Sequence, residues 1–138
     1  MYWRSNTDRS GILDHAASDQ LGKVKVGDEV WFVTIDDDEL ILFGHMLVGG
    51  VMSQSEAEAI VGKGLWEAKY HIVPSGRPEP FGNVPIAGIA PDLRFQGGVS
   101  QLPREYSGQN LQTMRALTTE SAEMLRRKWS QNMDSSRR

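Results

Sequence analysis

Apolar residues fall into two kinds of pattern along this chain: β-like runs over the first two thirds and a helical stripe near the end. The strongest run is Val30-Trp31-Phe32-Val33-Thr34-Ile35, β-branched or aromatic throughout, and it predicts a strand over 29–35. Asp36-Asp37-Asp38 follows as a hairpin connection. Residues 39–51 then predict a long return strand, in which Gly44 suggests a bulge or a sharp bend. Shorter strands are expected at 2–4, 66–73, 84–89 and 93–95, with the Pro- and Gly-rich residues 74–83 forming a loop.

Four segments carry helical signals. Ile12, Leu13, Ala16, Ala17 and Leu21 suit a short helix over 10–21, with Ser10 as N-cap and Gly22 as the stop. Ser55 and Glu58 fit a capping box, opening a helix that reaches about Val61 and ends at Gly62. Leu111, Met114 and Leu117 are spaced as on one helical face. Thr118 or Thr119 then caps a last helix with the apolar stripe Ala122, Leu125 and Trp129. Glu120 and Glu123 suit the positive end of that helix, and Arg126, Arg127 and Lys128 its negative end. Regular strand–helix alternation is missing, which excludes a doubly wound sheet. The expected fold is α+β: a small barrel of five to six mostly antiparallel strands, peripheral short helices and a C-terminal helical segment. Residues 1–133 form one expected domain and 134–138 a flexible tail.

Composition narrows the function classes. With 138 residues, 39% of them hydrophobic, the chain is long enough to bury a core. It has no cysteine, so disulfides and thiolate metal sites are excluded. The N-terminal residues do not resemble a signal peptide, and the apolar runs are too short to cross a bilayer, so a cytoplasmic location is expected. Net charge is -3, which gives little overall attraction to phosphate backbones. The charge is uneven, however: residues 115–138 carry six Lys or Arg against three acids, and the rest nine against fifteen. That basic end is either a local nucleic-acid contact or a solvated helix face.

Signatures of catalysis are lacking. There is no phosphate-binding glycine loop, no nucleophile elbow and no histidine pair at helical ligand spacing. Asp36-Asp37-Asp38-Glu39 lacks the pattern of a calcium loop. No metal, cofactor or membrane partner is expected, and the chain is taken as a binding module and not an enzyme. Its unusual feature is four tryptophans beside polar groups. Trp129 belongs to a helix stripe. Trp3 precedes Arg4-Ser5-Asn6, Trp31 lies in the strong strand, and Trp66 opens a later one. Flat aromatic walls with polar groups are what a nucleobase pocket requires, since rings stack on the base and polar groups meet its edge. Each of these rings can equally fill the core. A hydrolase on the same barrel would draw on Lys23, Thr34 or Glu67, and a ligand-free interaction module would need no pocket.

Two stretches carry a family resemblance. Trp3-Arg4-Ser5-Asn6, Val26-Gly27-Asp28-Glu29-Val30-Trp31-Phe32 and Ile41-Leu42-Phe43-Gly44-His45 together resemble EVE domains of the PUA-like superfamily. Leu102-Pro103-Arg104-Glu105-Tyr106-Ser107-Gly108-Gln109-Asn110-Leu111-Gln112 is similar to the end of the EVE-type domains that precede some HNH endonucleases. The chain departs from that pattern in its shorter spacing after Trp3, the lack of proline after Asn6, and Val33 where an aromatic is common. No HNH motif is present. The resemblance implies a PUA-like barrel that reads modified bases, with 5-modified cytosine in duplex DNA the target, by extruding the nucleotide into a pocket. It implies base contacts from Trp3, Ser5, Asn6, Trp31, Trp66, Tyr106, Asn110 and Gln112, and phosphate contacts from Arg4, Arg126, Arg127 and Lys128. A partner effector nuclease and a role in prokaryotic defence would follow.

Overall fold

The structure is a computed structural model. It describes residues 1–3, 11–62, 64, 65, 67–97, 100–103, 106 and 114–136. The chain divides into two compact units, the first of residues 1–10, 31–44 and 81–138, the second of 11–30 and 45–80. The class is α+β with mostly antiparallel pairing. Ten elements recur below: β1 (Tyr2–Trp3), β2 (Ile12–Leu13), β3 (Ala16–Ala17), β4 (Glu29–Asp36), β5 (Glu39–Met52), α1 (Gln54–Val61), β6 (His71–Pro74), β7 (Glu79–Pro80), β8 (Val84–Pro85) and α2 (Thr119–Ser136). No closed barrel is present among the described residues. No helix among them is long and apolar enough to cross a membrane.

The first unit is built on the β4–β5 hairpin. Asp37 and Asp38 form its tip with φ of 49° and 62°, the conformation of a two-residue turn whose twist matches the flanking strands. Short-chain aspartate tolerates that left-handed backbone better than most side chains. Residues 30–34 and 40–44 are buried without a break, so both faces of the hairpin are covered there. β1 pairs with β4 in parallel, Tyr2 opposite Phe32 and Trp3 opposite Val33. β8 pairs antiparallel with β5 through Ile41 and Leu42. Trp31, Val33, Leu40 and Leu42 share one core with Ile86, Leu93 and Phe95, and with Leu125 and Trp129 of α2.

Thr118 caps α2 as expected: its Oγ1 accepts the Ser121 N–H at 3.3 Å, and its carbonyl accepts the Ala122 N–H. Leu125 and Trp129 are buried four residues apart, on the face that meets the core. The Trp129 ring packs against Gly82, where an added Cβ would sit 2.9 Å from it. The helical backbone continues through Ser136.

The second unit joins the latter part of β5 to β6 and β3. Val51 pairs with Ile72 and Met52 with His71, while Ala16 and Ala17 pair with Ile72 and His71 from the other side. β2 and β7 form a separate antiparallel pair. Beyond His45, β5 alternates, with Met46 and Val48 buried and Leu47 exposed. That is the period-two pattern of a strand with one covered face.

Several expected elements lie elsewhere. Residues 10–21 are not a helix over their described part. β2, β3 and a 3₁₀ turn at Asp19–Leu21 occupy it, because pairing of the alanines with β6 overrides their helical preference. The capping box is Ser53 with Glu56, two residues before the expected pair: Ser53 Oγ accepts the Glu56 N–H at 3.3 Å, and the Glu56 carboxylate accepts the Ser53 N–H at 3.4 Å. The helix still ends at Gly62, whose N–H reaches Glu58 O. The strand expected over 66–73 is shorter, because side chains take its backbone donors. Gln54 Oε1 accepts from Ala68 N, and Asp19 Oδ1 from Lys69 N. β7 interrupts the expected loop over 74–83. The strand expected over 84–89 stops at Pro85, and Ile86–Ile89 lead into a 3₁₀ turn. Of the helical face over 111–117, Leu111 lies outside the described residues, whereas Leu117 bridges to Phe95 in extended backbone. Against β6, β5 has a register shift between Val48 and Gly50.

That shift explains Gly49. A Cβ there would lie 2.6 Å from Ser75 Cα, 2.7 Å from Ser75 N and 2.9 Å from Pro74 O, all backbone atoms that can move only by parting the strands. Gly49→Ala should therefore destabilise the protein by about 2 kcal/mol or more in denaturant titration. Gly88→Ala, which meets nothing within 4 Å, should change stability by under about 0.5 kcal/mol. Equal effects of the two substitutions would refute the close-approach account.

Candidate functional site

Every candidate position that falls among the described residues lies in the first unit: Trp3, Trp31, Tyr106, Arg126, Arg127 and Lys128. Arg4, Ser5, Asn6, Trp66, Asn110 and Gln112 lie outside the described residues. Trp3 is held in β1 opposite Val33. Trp31 is a core residue, 2% exposed, and its neighbour Phe32 is wholly buried, so strand alternation leaves neither ring open to solvent. Tyr106 is half-buried and packs on the same core. Arg126 and Arg127 are exposed on α2, and both pair with Glu123, Arg127 at 3.7 Å. Lys128 is half-buried.

Backbone hydrogen bonds bring distant candidate segments to one place. Arg94–Gln96 and Ala116–Thr118 pair across Phe95 and Leu117: Gln96 N donates to Ala116 O at 2.8 Å and Thr118 N to Arg94 O at 3.0 Å. Gln96 Nε2 adds a bond to Leu117 O at 2.9 Å. These contacts close the base of the segment that carries Tyr106, Asn110 and Gln112. Leu102, 8% exposed, anchors the same segment in the core. At its exit, the Met1 amine donates to Arg115 O at 2.7 Å, and Arg115 N donates to Met1 O at 3.2 Å. Residues that begin two positions before Trp3 are thus tied to the end of the segment that includes Tyr106. Nothing in the spacing of Met1 and Arg115 along the chain signals this.

Burial, with a smaller contribution from the Arg115 charge, lowers the Met1 amine from its ordinary 8.0 to about 5. The unfolded chain takes up this proton below about 8 and the folded chain only below about 5. This amine therefore makes stability fall as pH drops through that window, by a few kcal/mol in total. An NMR titration of the isotopically labelled amine should give a midpoint near 5; a midpoint near 8 would refute its burial.

The second unit holds a buried polar chain that the sequence does not announce. His71 is wholly buried. Its Nε2 lies 2.5 Å from Gln54 Oε1 and its Nδ1 2.7 Å from His15 Nε2. Gln54 Oε1 also accepts from Ala68 N at 3.0 Å, and Gln54 Nε2 donates to Glu58 Oε1 at 3.0 Å, so the amide orientation is determined. His71 Nε2 is therefore the donor to Gln54, and in the neutral ring Nδ1 accepts from His15. His45 is placed differently, with Nδ1 2.5 Å from Glu79 and Nε2 3.1 Å from Glu29. Its two nitrogens point in opposite directions, so the carboxylates do not converge. No group of three or more His, Asp or Glu among the described residues is arranged to hold a metal. Of the hydrolase candidates, Lys23 and Glu67 are exposed in the second unit and Thr34 is buried in the first.

Gln54→Met would remove the acceptor shared by His71 and Ala68 while keeping the side-chain length. Two buried or half-buried donors would lose a partner, so unfolding should be easier by about 2–4 kcal/mol. A loss under about 0.5 kcal/mol would show that the amide is dispensable.

No protein-family model matches the chain, and no curated protein or solved structure matches it either.

Proposed function

We propose that the chain is a reader of modified bases, an EVE-type module on a PUA-like barrel that binds duplex DNA and takes 5-modified cytosine into a pocket without chemical conversion. The observation that carries this reading is the common anchor at Met1 and Arg115. Two segments chosen for their base-binding residue types, one around Trp3 and one around Tyr106, are tied together by reciprocal hydrogen bonds between Met1, ahead of the first, and Arg115, at the end of the second. Recognition residues on loops held by a rigid scaffold are the usual arrangement for binding sites. The core assignment of Trp31 leaves stacking to Trp3 and Tyr106, with Ser5, Asn6, Asn110 and Gln112 meeting the base edge. Arg4 and the α2 cluster serve the phosphates. Glu123 offsets part of the α2 charge, in keeping with weak non-specific binding. Action in the cytoplasm, with an effector nuclease supplying any cleavage, completes the proposal.

The energetics suit a pocket-driven interaction. Extruding a base costs a few kcal/mol, and each aromatic stack returns about 1–3 kcal/mol. With a net charge of -3, preference for a modification must come from the pocket. A panel of duplexes with and without modified bases should show tighter binding, by about tenfold or more, for a 5-modified cytosine duplex at moderate salt. Trp3→Ala should erase most of that preference and leave the weak binding to unmodified duplex in place. Equal affinity across the panel, or none for DNA or RNA, would remove the reading.

A further inference from the structure

We infer that Arg115 is a positioning residue for base recognition, a latch that joins both ends of the Tyr106-bearing segment to the strand leading into Trp3; this rests on the reader function proposed above. Three contacts converge on this residue. Its backbone holds Met1 in both directions, at 2.7 and 3.2 Å. Its guanidinium carbon lies 4.3 Å from the centre of the Phe95 ring. Phe95 is 2% exposed and stands at the start of the segment that Arg115 ends, with its N–H donating to Ser100 O at 2.9 Å and its backbone bridged to Leu117.

A flat guanidinium over an aromatic face is a cation–π contact within the usual distance. It acts where backbone pairing alone leaves a gap. The bonds from Gln96 and Thr118 fix the two arms of the base, and the Arg115 side chain crosses from one arm to the ring of the other. The same residue holds the first strand through its main chain. Loss of the side chain therefore leaves the main-chain bonds available but frees their geometry. The described ends of the Tyr106-bearing segment and the strand of Trp3 would then be held less firmly, and binding would have to supply that ordering. The expected signature is reduced discrimination between modified and unmodified DNA, beyond any general loss of stability.

The test uses the full chain with Arg115→Gln and Arg115→Lys. Two quantities are read: the affinity ratio for 5-modified cytosine over unmodified duplex, and amide exchange at Tyr2, Trp3, Gln96 and Ala116. Arg115→Gln should lower the ratio by about two- to fivefold, the equivalent of a cation–π contact at the weak end of its range, and speed exchange at those amides. Arg115→Lys, which keeps a cation over Phe95, should recover most of both. Unchanged ratio and exchange in Arg115→Gln would overturn the latch, as would equal losses in the two variants. If the wild type shows no preference for any duplex, the reader function falls, and exchange alone decides the latch: faster in Arg115→Gln upholds it, unchanged overturns it. Should Arg115→Gln fail to fold, Arg115→Met keeps the aliphatic stem over the ring and is judged by the same criteria.

Discussion

Burial of both faces of the β4–β5 hairpin is the constraint on which the first unit depends. A strand pair covered on one side can alternate polar and apolar residues; here Val30 to Thr34 and Leu40 to Gly44 cannot. One covering layer is formed with α2, whose Leu125 and Trp129 join Trp31, Val33, Leu40 and Leu42. Phe32 and Phe43 belong to the other side, edge to face with ring centres 6.2 Å apart, and Phe81 lies 5.9 Å from Phe43. The tight Asp37-Asp38 tip keeps the two strands in a register that serves both layers. β1, β8 and the segments around Phe95 then take positions along strands that are already fixed.

The second unit is held by a different balance. Its part of β5 alternates, and directed polar contacts join its elements. His71 joins β6 to α1 through Gln54 and to the residue before β3 through His15. An apolar side chain at position 71 would fill space but would not choose among partners, whereas Gln54, oriented by Ala68 and Glu58, fixes the His71 Nε2 as a donor. The neighbouring amides of Ala68 and Lys69 are satisfied by side chains from elsewhere in the same unit, which is why a segment with strand-like composition is not a strand.

Legibility in the sequence followed the range of the interaction. The hairpin, the Thr118 cap and the Gly62 stop depend on residues within a few positions of one another, and each was accessible from pattern alone. The helical spacing over 10–21 misleads because Ala16 and Ala17 answer to β6, more than fifty residues away. The two Ser-x-x-Glu matches around Ser53 and Ser55 are equivalent by pattern; the second glutamate is instead engaged by Gln54. Leu117 has helical spacing but a β partner in Phe95. The candidate site divides in the same way. Residue types suitable for a base pocket could be named from local composition, but their common anchor could not, since Met1 and Arg115 are 114 positions apart.

That separation has a consequence for the order in which the protein is made. The segments of the second unit are complete once Pro80 has been synthesised, whereas the first unit draws on residues 1–10, 31–44 and 81–138. On a ribosome Met1 must wait for residue 115 before its backbone carbonyl finds its partner, and the hairpin's Trp31 side stays without Leu125 and Trp129 until α2 emerges. The second unit can therefore organise first, while residues 31–44 wait for 81–138. During that interval the most apolar strands of the protein are the ones without their cover, and this interval is where a chaperone would have something to bind.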